Sequence, residues 1–257
     1  MSWPELVEDA AQIIHQAQHL TLSTGAGMSK ESGVPTFRDA HEGLWEKYKP
    51  EELATPQAFQ RNPDLVWSWY MFRLDLVSGA EPNAGHRAVA ALDAFVPKVT
   101  VITQNIDSFH QLSGSVDVVE LHGNIRRFRC FDNCQGPRTI IDLATSEVSK
   151  EIAPPCPHCD ARVRPDVVWY GETLPEWAIK RAFEEAAACD VMLVIGTSGL
   201  VNPAARLPQV AKEAGATIIE VNPSFSMVTP IADLVLEGPA GEVMPAIVAA
   251  LGKRAAG

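Results

Sequence analysis

At 257 residues, 46% apolar and 21% charged, the chain has the bulk of one large soluble domain with room for a small insertion. A net charge of −11 argues against direct nucleic-acid binding, which needs a basic face, and leaves room for a basic partner such as a lysine-bearing peptide. The opening Met1-Ser2-Trp3-Pro4-Glu5 is not read as a secretory or transit peptide, and no apolar run approaches a membrane span.

Helical spacing of Leu6, Val7, Ala10, Ile13 and Ile14 predicts a helix from Pro4 to about Gln18, with the proline in its first turn. His19 to Ser23 reads as a strand running into Gly25-Ala26-Gly27. Thr55-Pro56 and Asn62-Pro63 each pair a capping residue with a first-turn proline, so each opens a helix. Asn83 caps a further helix through Phe95. Val99–Ile102 and Val116–Leu121 read as strands, and Val167–Tyr170 as extended. Arg126, Arg127 and Arg129 read as a solvated loop leading into the cysteine region.

Trp177–Ala188 reads as a helix and Val191–Ile195 as a buried parallel strand. Gly196-Thr197-Ser198 follows, then a helix near Pro203–Ala214 and a strand over Thr217–Val221, completing a βαβ unit. A strand at Asp233–Leu236 and a helix at Glu242–Leu251 close the chain. This order predicts an α/β fold: an open parallel Rossmann-like sheet with helices on both faces, plus a small zinc-ribbon and helical module. The Rossmann-like part is expected at 1–40, 82–126 and 164–257, the helical module at 41–81 and the zinc-binding module at 127–163. Ligands of such sheets sit beyond the carboxyl ends of the strands. Gly25, Gln104, His122, Gly196 and Asn222 all fall just past an expected strand.

Cys130-x3-Cys134 and Cys156-x2-Cys159 form the ligand set of a closed tetrahedral zinc site. Four sulfur ligands leave no open position, so one structural Zn2+ is expected to hold structure without doing chemistry. Disulfides are the rival reading; with no sign of secretion, a reducing cytoplasm and bound metal are favoured. Cys189 is left over as a small buried apolar residue.

Gly25-Ala26-Gly27 supplies bare backbone for phosphates, but Gly33 comes too late for the G-x-G-x-x-G fingerprint. The segment Gly25-Ala-Gly-Met-Ser-Lys-Glu-Ser-Gly-Val-Pro-Thr-Phe-Arg38 resembles the signature loop of the sirtuins. Thr103-Gln-Asn-Ile-Asp107, Leu121-His-Gly-Asn124, the four cysteines, Gly196-Thr-Ser198 and Val221-Asn222 also resemble that family's motifs, in family order. The resemblance runs from Gly25 to about Ala240 and implies NAD-dependent removal of acyl groups from protein lysines, with NAD as co-substrate.

By resemblance His122 is the general base on a ribose hydroxyl, a task suited to a side chain that titrates near neutrality. Asn105 and Asp107 would line a nicotinamide pocket walled by Ala26, Pro35, Phe37 and Ile106, with Asn105 also counted as catalytic. Arg38 would face phosphate or ribose. Gly25, Gly27, Gln104, Gly196, Thr197, Ser198, Asn222 and Ala240 complete the expected cofactor contacts. Val168, Gly171 and Glu172 resemble the segment that pairs with a substrate peptide backbone. Thr36 and Asn202 depart from the common family pattern, and neither is assigned to catalysis.

Tyr70 and Arg73 stand three apart on an expected helix, so they share a face. A phenol beside a guanidinium grips a carboxylate, the arginine fork giving two bonds. The spacing is similar to the sirtuin branch that removes succinyl, malonyl and glutaryl groups, and Ala40 also resembles that branch. Competing readings are a mono-ADP-ribosyltransferase on the same NAD site and a non-catalytic NAD- or ADP-ribose-binding module. Intact His122, Asn105 and Asp107 count against the latter.

Overall fold

The computed structural model describes residues 2–34, 49–143 and 148–255. Pro35, Thr36, Phe37, Arg38 and Ala40, singled out in the sequence, lie outside the described residues. In chain order the elements are α1 (Trp3–Gln16), β1 (His19–Thr24), α2 (Pro50–Leu53), α3 (Pro56–Arg61), α4 (Pro63–Ser78), α5 (Ala84–Ala91), β2 (Lys98–Thr103), α6 (Phe109–Leu112), β3 (Val118–Glu120), β4 (Gly123–Cys130), β5 (Ile140–Ile141), β6 (Val163–Val167), α7 (Glu176–Ala188), β7 (Val191–Ile195), α8 (Leu207–Glu213), β8 (Thr217–Asn222), β9 (Leu234–Glu237) and α9 (Ala240–Ala255). They divide between two units, 1–36 with 81–121 and 175–257, and 37–80 with 122–174.

The first unit is built on a six-stranded parallel sheet of order β3-β2-β1-β7-β8-β9. Every side chain of β1 and β7 is buried, which is what central parallel strands covered on both faces require. Leu20 and Leu22 of β1, Leu193 and Ile195 of β7 and Val221 of β8 point to one face. They pack with Ala10 and Ile14 of α1, Val89 of α5 and Val243 and Ile247 of α9. Thr21 turns the other way and donates to the Glu185 carbonyl of α7. The helices therefore lie on both faces. Order reverses between β1 and β7, which puts the topological switch point at their carboxyl ends.

Local signals place the helices. Glu5 accepts from the Ser2 amide at 2.9 Å at the start of α1. Asn62 caps α4 through the Leu65 amide, and Asn83 caps α5 through the Gly85 and His86 amides. The helix from Asn83 tightens to a 3₁₀ turn over Leu92–Ala94 before Phe95.

The second unit carries a three-stranded antiparallel sheet of order β5-β4-β6. Helix α4 buries Val66, Trp67, Trp69 and Tyr70 and keeps Asp75 exposed, paired with Lys150. Trp67 meets the Phe128 ring of β4 at 5.4 Å, and Phe59 of α3 stacks on Phe131 at 5.1 Å. Gly123 opens β4 at φ 78°, and a Cβ there would lie 2.0 Å from the Asp166 carbonyl oxygen, so glycine alone fits.

Two readings from the sequence need correction here. The segment holding Arg126, Arg127 and Arg129 is strand β4, and Arg129 is buried, because Asp166 and Glu172 supply its counter-charge. The extended segment lies earlier than Val167–Tyr170. Strand β6 ends at Val167, and the chain then turns, Glu172 N–H reaching the Trp169 carbonyl at 3.0 Å.

Candidate active site

At the switch point the chain leaves β1 through Gly25-Ala26-Gly27 and β7 through Gly196-Thr197-Ser198. The two turns touch backbone to backbone. The Gly25 amide donates to the Ile195 carbonyl and the Gly27 amide to the Gly196 carbonyl, at 3.0 and 2.8 Å. A Cβ on Gly27 would sit 2.7 Å from Gly196 Cα, and one on Gly196 2.4 Å from Met28 N. Glycine at these positions lets the two turns pack backbone against backbone at the switch point, beyond the carboxyl ends of the strands, where the ligands of such sheets sit. Ala26 is exposed on the first turn, and Ile106 is half-buried.

Beyond β2 the polar turn is tied to the same place. Asn105 Nδ2 donates to the Gly25 carbonyl and to Ser29 Oγ, both at 3.0 Å, and Asn105 N–H donates to Thr103 Oγ1. With both amide protons used, Asn105 Oδ1 is the atom left to accept from a ligand. Asp107 is buried. Its Oδ2 takes the Ser29 hydroxyl proton at 2.7 Å and its Oδ1 the Phe109 amide at 2.9 Å. Gln104 Nε2 reaches Thr197 Oγ1 at 3.3 Å, linking the β2 and β7 turns.

Two buried histidines stand behind this turn, and the sequence reading missed both. His86 Nδ1 accepts from the Asn83 amide, so the proton sits on Nε2, which faces Ser29 Oγ at 3.5 Å. His110 Nε2 lies 3.0 Å from Thr24 Oγ1, which donates to Thr103 Oγ1. The two rings meet edge to face at 5.0 Å. Burial holds His86 down at about 4, with the nearby Arg87 adding to it, and His110 at about 3, with His86 adding to it. Both are neutral at neutral pH. The available signal was their fixed spacing from Asn83 and from Asp107, which reads as capping and turn chemistry until the strands bring the two segments together.

Between the ends of β7 and β8, Asn222 Nδ2 donates to the Thr197 carbonyl at 2.9 Å. Ser198 is exposed and its carbonyl accepts from the Met227 amide. Ala240 is buried at the start of α9, where Glu31 takes the Gly241 amide at 2.6 Å.

In the second unit His122 precedes β4, half-buried, and its carbonyl accepts from the Val168 amide at 2.9 Å. Gly171 is exposed at φ 85°. Glu172 is committed within the fold. It binds Arg164 at 2.5 and 3.0 Å, Arg129 at 3.2 Å and the Trp169 amide at 2.8 Å. Arg164 is almost wholly buried, its guanidinium lying 3.1 Å from the Trp169 ring centroid. Burial lowers Arg164 to about 10, while its bonds hold the Glu172 carboxyl down against its own burial.

Tyr70 and Arg73 sit one turn apart on α4, both buried. The Tyr70 hydroxyl accepts from Trp169 Nε1 at 2.8 Å. Burial pushes the Tyr70 phenol up, so it stays protonated, and pulls Arg73 down.

The four cysteine sulfurs gather within 4.8 Å of one another. Cys130 and Cys159 are 3.6 Å apart, Cys134 and Cys156 3.8 Å, far beyond a disulfide bond. A tetrahedron with Zn–S near 2.3 Å has edges of about 3.8 Å, so the set fits Zn2+. The four cysteines are positioned to bind a structural metal ion. Cys189 is buried, donates to the Ala186 carbonyl and has its thiol pushed up by burial, as an inert residue would.

A parallel sheet with two glycine turns packed together at its switch point is the architecture of nucleotide-binding α/β proteins, here carrying a four-cysteine module. The Sir2 family model matches residues 25–203. An NAD-dependent protein deacylase 2 from Pyrobaculum aerophilum is 50% identical over 246 residues, 96% of each chain. The crystal structure of a Sir2 homologue–NAD complex matches with a TM-score of 0.88 at 42% identity, covering 96% of this chain and 94% of that one. A Sir2 protein bound to a myristoylated histone peptide matches with a TM-score of 0.77 at 36% identity, covering 98% of each chain. The chain belongs to the Sir2 family and is an NAD-dependent protein deacylase.

Proposed function

We propose that this deacylase acts on acylated protein lysines with a preference for acidic acyl groups, succinyl and malonyl, and with acetyl as a further substrate. The observation that carries the preference is the buried Tyr70–Arg73 pair on α4. Trp169 supplies a proton to the Tyr70 oxygen, so the phenol keeps its own proton to give. No described residue accepts it. Arg73 lies on the same face of the helix as that phenol, so a carboxylate that takes the phenol proton comes within reach of the guanidinium fork. A carboxylate carbon two bonds (malonyl) or three bonds (succinyl) beyond the acyl carbonyl carbon has the matching chemistry, whereas an acetyl group offers only a methyl.

In this reading NAD and the acyl-lysine react with loss of nicotinamide, and water completes the release of free lysine and O-acyl-ADP-ribose. His122 takes a proton from a ribose hydroxyl, and Asn105 and Asp107 hold the nicotinamide end. The Ser29–Asp107 bond supports this role by fixing the carboxylate. Pro35, Phe37 and Arg38 belong to the same proposal, as do Val168 and Gly171 for the peptide backbone. Acyl-lysine peptides and proteins are the partners. No described helix is long and apolar enough to cross a membrane. A reducing cytoplasm suits four thiolate ligands.

The test is one peptide sequence offered as acetyl-, succinyl-, malonyl- and myristoyl-lysine with NAD. Higher kcat/KM for the two acidic acyl groups is the expected result. Equal or higher kcat/KM for acetyl- or myristoyl-lysine rejects the preference.

A further inference from the structure

Glu220 is buried to 1% exposure on β8, two residues before Asn222 and therefore on the same face of the strand. Among the described residues only neutral donors reach its carboxylate. Oε1 accepts the Ser226 hydroxyl in a short bond and the Asn222 amide at 3.4 Å, and Oε2 accepts the Thr229 hydroxyl at 2.7 Å. Those hydroxyls in turn accept backbone protons. Ser226 N–H binds Thr229 Oγ1 and Val228 N–H binds Ser226 Oγ, each at 2.9 Å. One buried carboxylate thus anchors Ser226 and Thr229 of the loop that follows β8.

The loop reaches the neighbouring turn. Met227 N–H donates to the Ser198 carbonyl at 3.1 Å. A Cβ on Gly199 would lie 3.1 Å from both Met227 Cβ and Val228 Cγ2, so the two segments are in close contact. Asn222 sits between them, its amide protons shared by the Thr197 carbonyl and Glu220. Its Oδ1 is left to accept, which suits the donor hydroxyls of a ribose.

We propose that Glu220 is the positioning residue for the adenosine end of the NAD site, acting through Asn222 and the Ser226–Thr229 loop. This rests on taking Ser198 and Asn222, among the expected cofactor contacts, as those that hold the adenosine half of NAD. Glu220 touches no ligand. It fixes the orientation of the Asn222 amide and the height of the loop against Ser198. Glu220 Oε1 and Oε2 accept from donors on this side, so they select the rotamer in which Asn222 turns its amide protons inward and presents its oxygen outward.

The experiment is calorimetric titration of ADP-ribose into wild type, Glu220→Gln and Ser226→Ala, with steady-state kinetics beside it. Glu220→Gln should weaken ADP-ribose binding and raise KM for NAD by about tenfold, the worth of a charged hydrogen bond. Ser226→Ala, which keeps the carboxylate and removes one loop bond, should cost about threefold. In both, kcat at saturating NAD and inhibition by free nicotinamide should stay within about twofold of wild type, since one lost contact at the far end of a bound co-substrate changes uniform binding. In an Asn222→Ala background Glu220→Gln should cost less than it does alone. ADP-ribose affinity unchanged in the folded variants, full additivity with Asn222→Ala, or parallel loss of nicotinamide inhibition would overturn the proposal. Should Glu220→Gln not fold, Ser226→Ala decides. A wild type without NAD-dependent turnover of acyl-lysine sinks the proposed function instead, and the ADP-ribose titration still tests Glu220.

Discussion

Trp169 gives its indole proton to the Tyr70 oxygen at 2.8 Å, and so sets which way the Tyr70 hydroxyl proton can point. Arg73 lies one turn along the same helix, within the same aromatic surroundings, 5.3 Å over the Trp69 ring. Arg73→Met keeps the length and apolar bulk and removes the fork. Desuccinylation should fall about ten- to a hundredfold in kcat/KM, the worth of a charge-assisted bidentate contact. Deacetylation should change little. Equal losses on both acyl groups would make Arg73 a structural arginine and remove the acidic-acyl preference.

Glu172 has its carboxylate taken up by groups of the fold around it. Arg164 is buried against Trp169 with Glu172 as its bidentate partner, and Arg129 shares the same carboxylate. Glu172→Gln leaves two guanidinium groups short of counter-charge. Breaking a buried pair from one side costs about 3 kcal/mol. Urea denaturation should show that loss, and KM for peptide measured well below the transition should move little. A variant as stable as wild type with a raised peptide KM would return Glu172 to the substrate.

The metal module invites a similar test. Sulfur pairs 3.6 and 3.8 Å apart match the edges of a tetrahedron, with no ligand position left over. Cys156→Ala should bind less than one zinc per chain and lose cooperative unfolding at the wild-type midpoint, because metal affinity is folding energy. A zinc-free Cys156→Ala chain that is stable and fully active would refute the structural assignment.

His122→Ala should still bind NAD and turn over roughly 100-fold or more slowly, as loss of a general base does. Single-turnover release of nicotinamide separates the steps. It should persist while lysine release stalls. Near-normal turnover would strip His122 of its role.

Much of the parallel sheet was legible because its strands are short apolar runs closed by glycine or polar turns, as Val191–Ile195 before Gly196 shows. The four cysteines announced themselves by spacing. Strand β4 did not. Three arginines in four residues read as solvated, since sequence pattern prices arginine as exposed. What buries Arg129 is Asp166 and Glu172, more than 35 residues downstream, and no local window contains them. His86, His110 and Glu220 were invisible for the same reason. Each is a lone polar residue whose meaning depends on which strand end lies beside it.

The buried histidines make the last prediction. His86 at about 4 and His110 at about 3 both titrate well below the unfolded value of 6.5. The folded state is then slow to take up protons that the unfolded chain binds readily. Their contribution is fully present above about pH 6.5 and is lost as pH falls below it, levelling off only near the folded values, at about 3 kcal/mol each by pH 4. Carboxylates held low, Glu172 and Asp233, add their own losses below the ordinary carboxylate range, and comparison of wild type with a histidine variant at constant zinc between pH 6.5 and 5 cancels what the other groups contribute. Urea midpoints should drop steadily across that interval. His86→Asn keeps an acceptor for the Asn83 amide and carries no titratable ring, so it should flatten the slope by about half. An unchanged slope in His86→Asn, or a flat profile in wild type down to pH 5, would contradict the buried neutral pair.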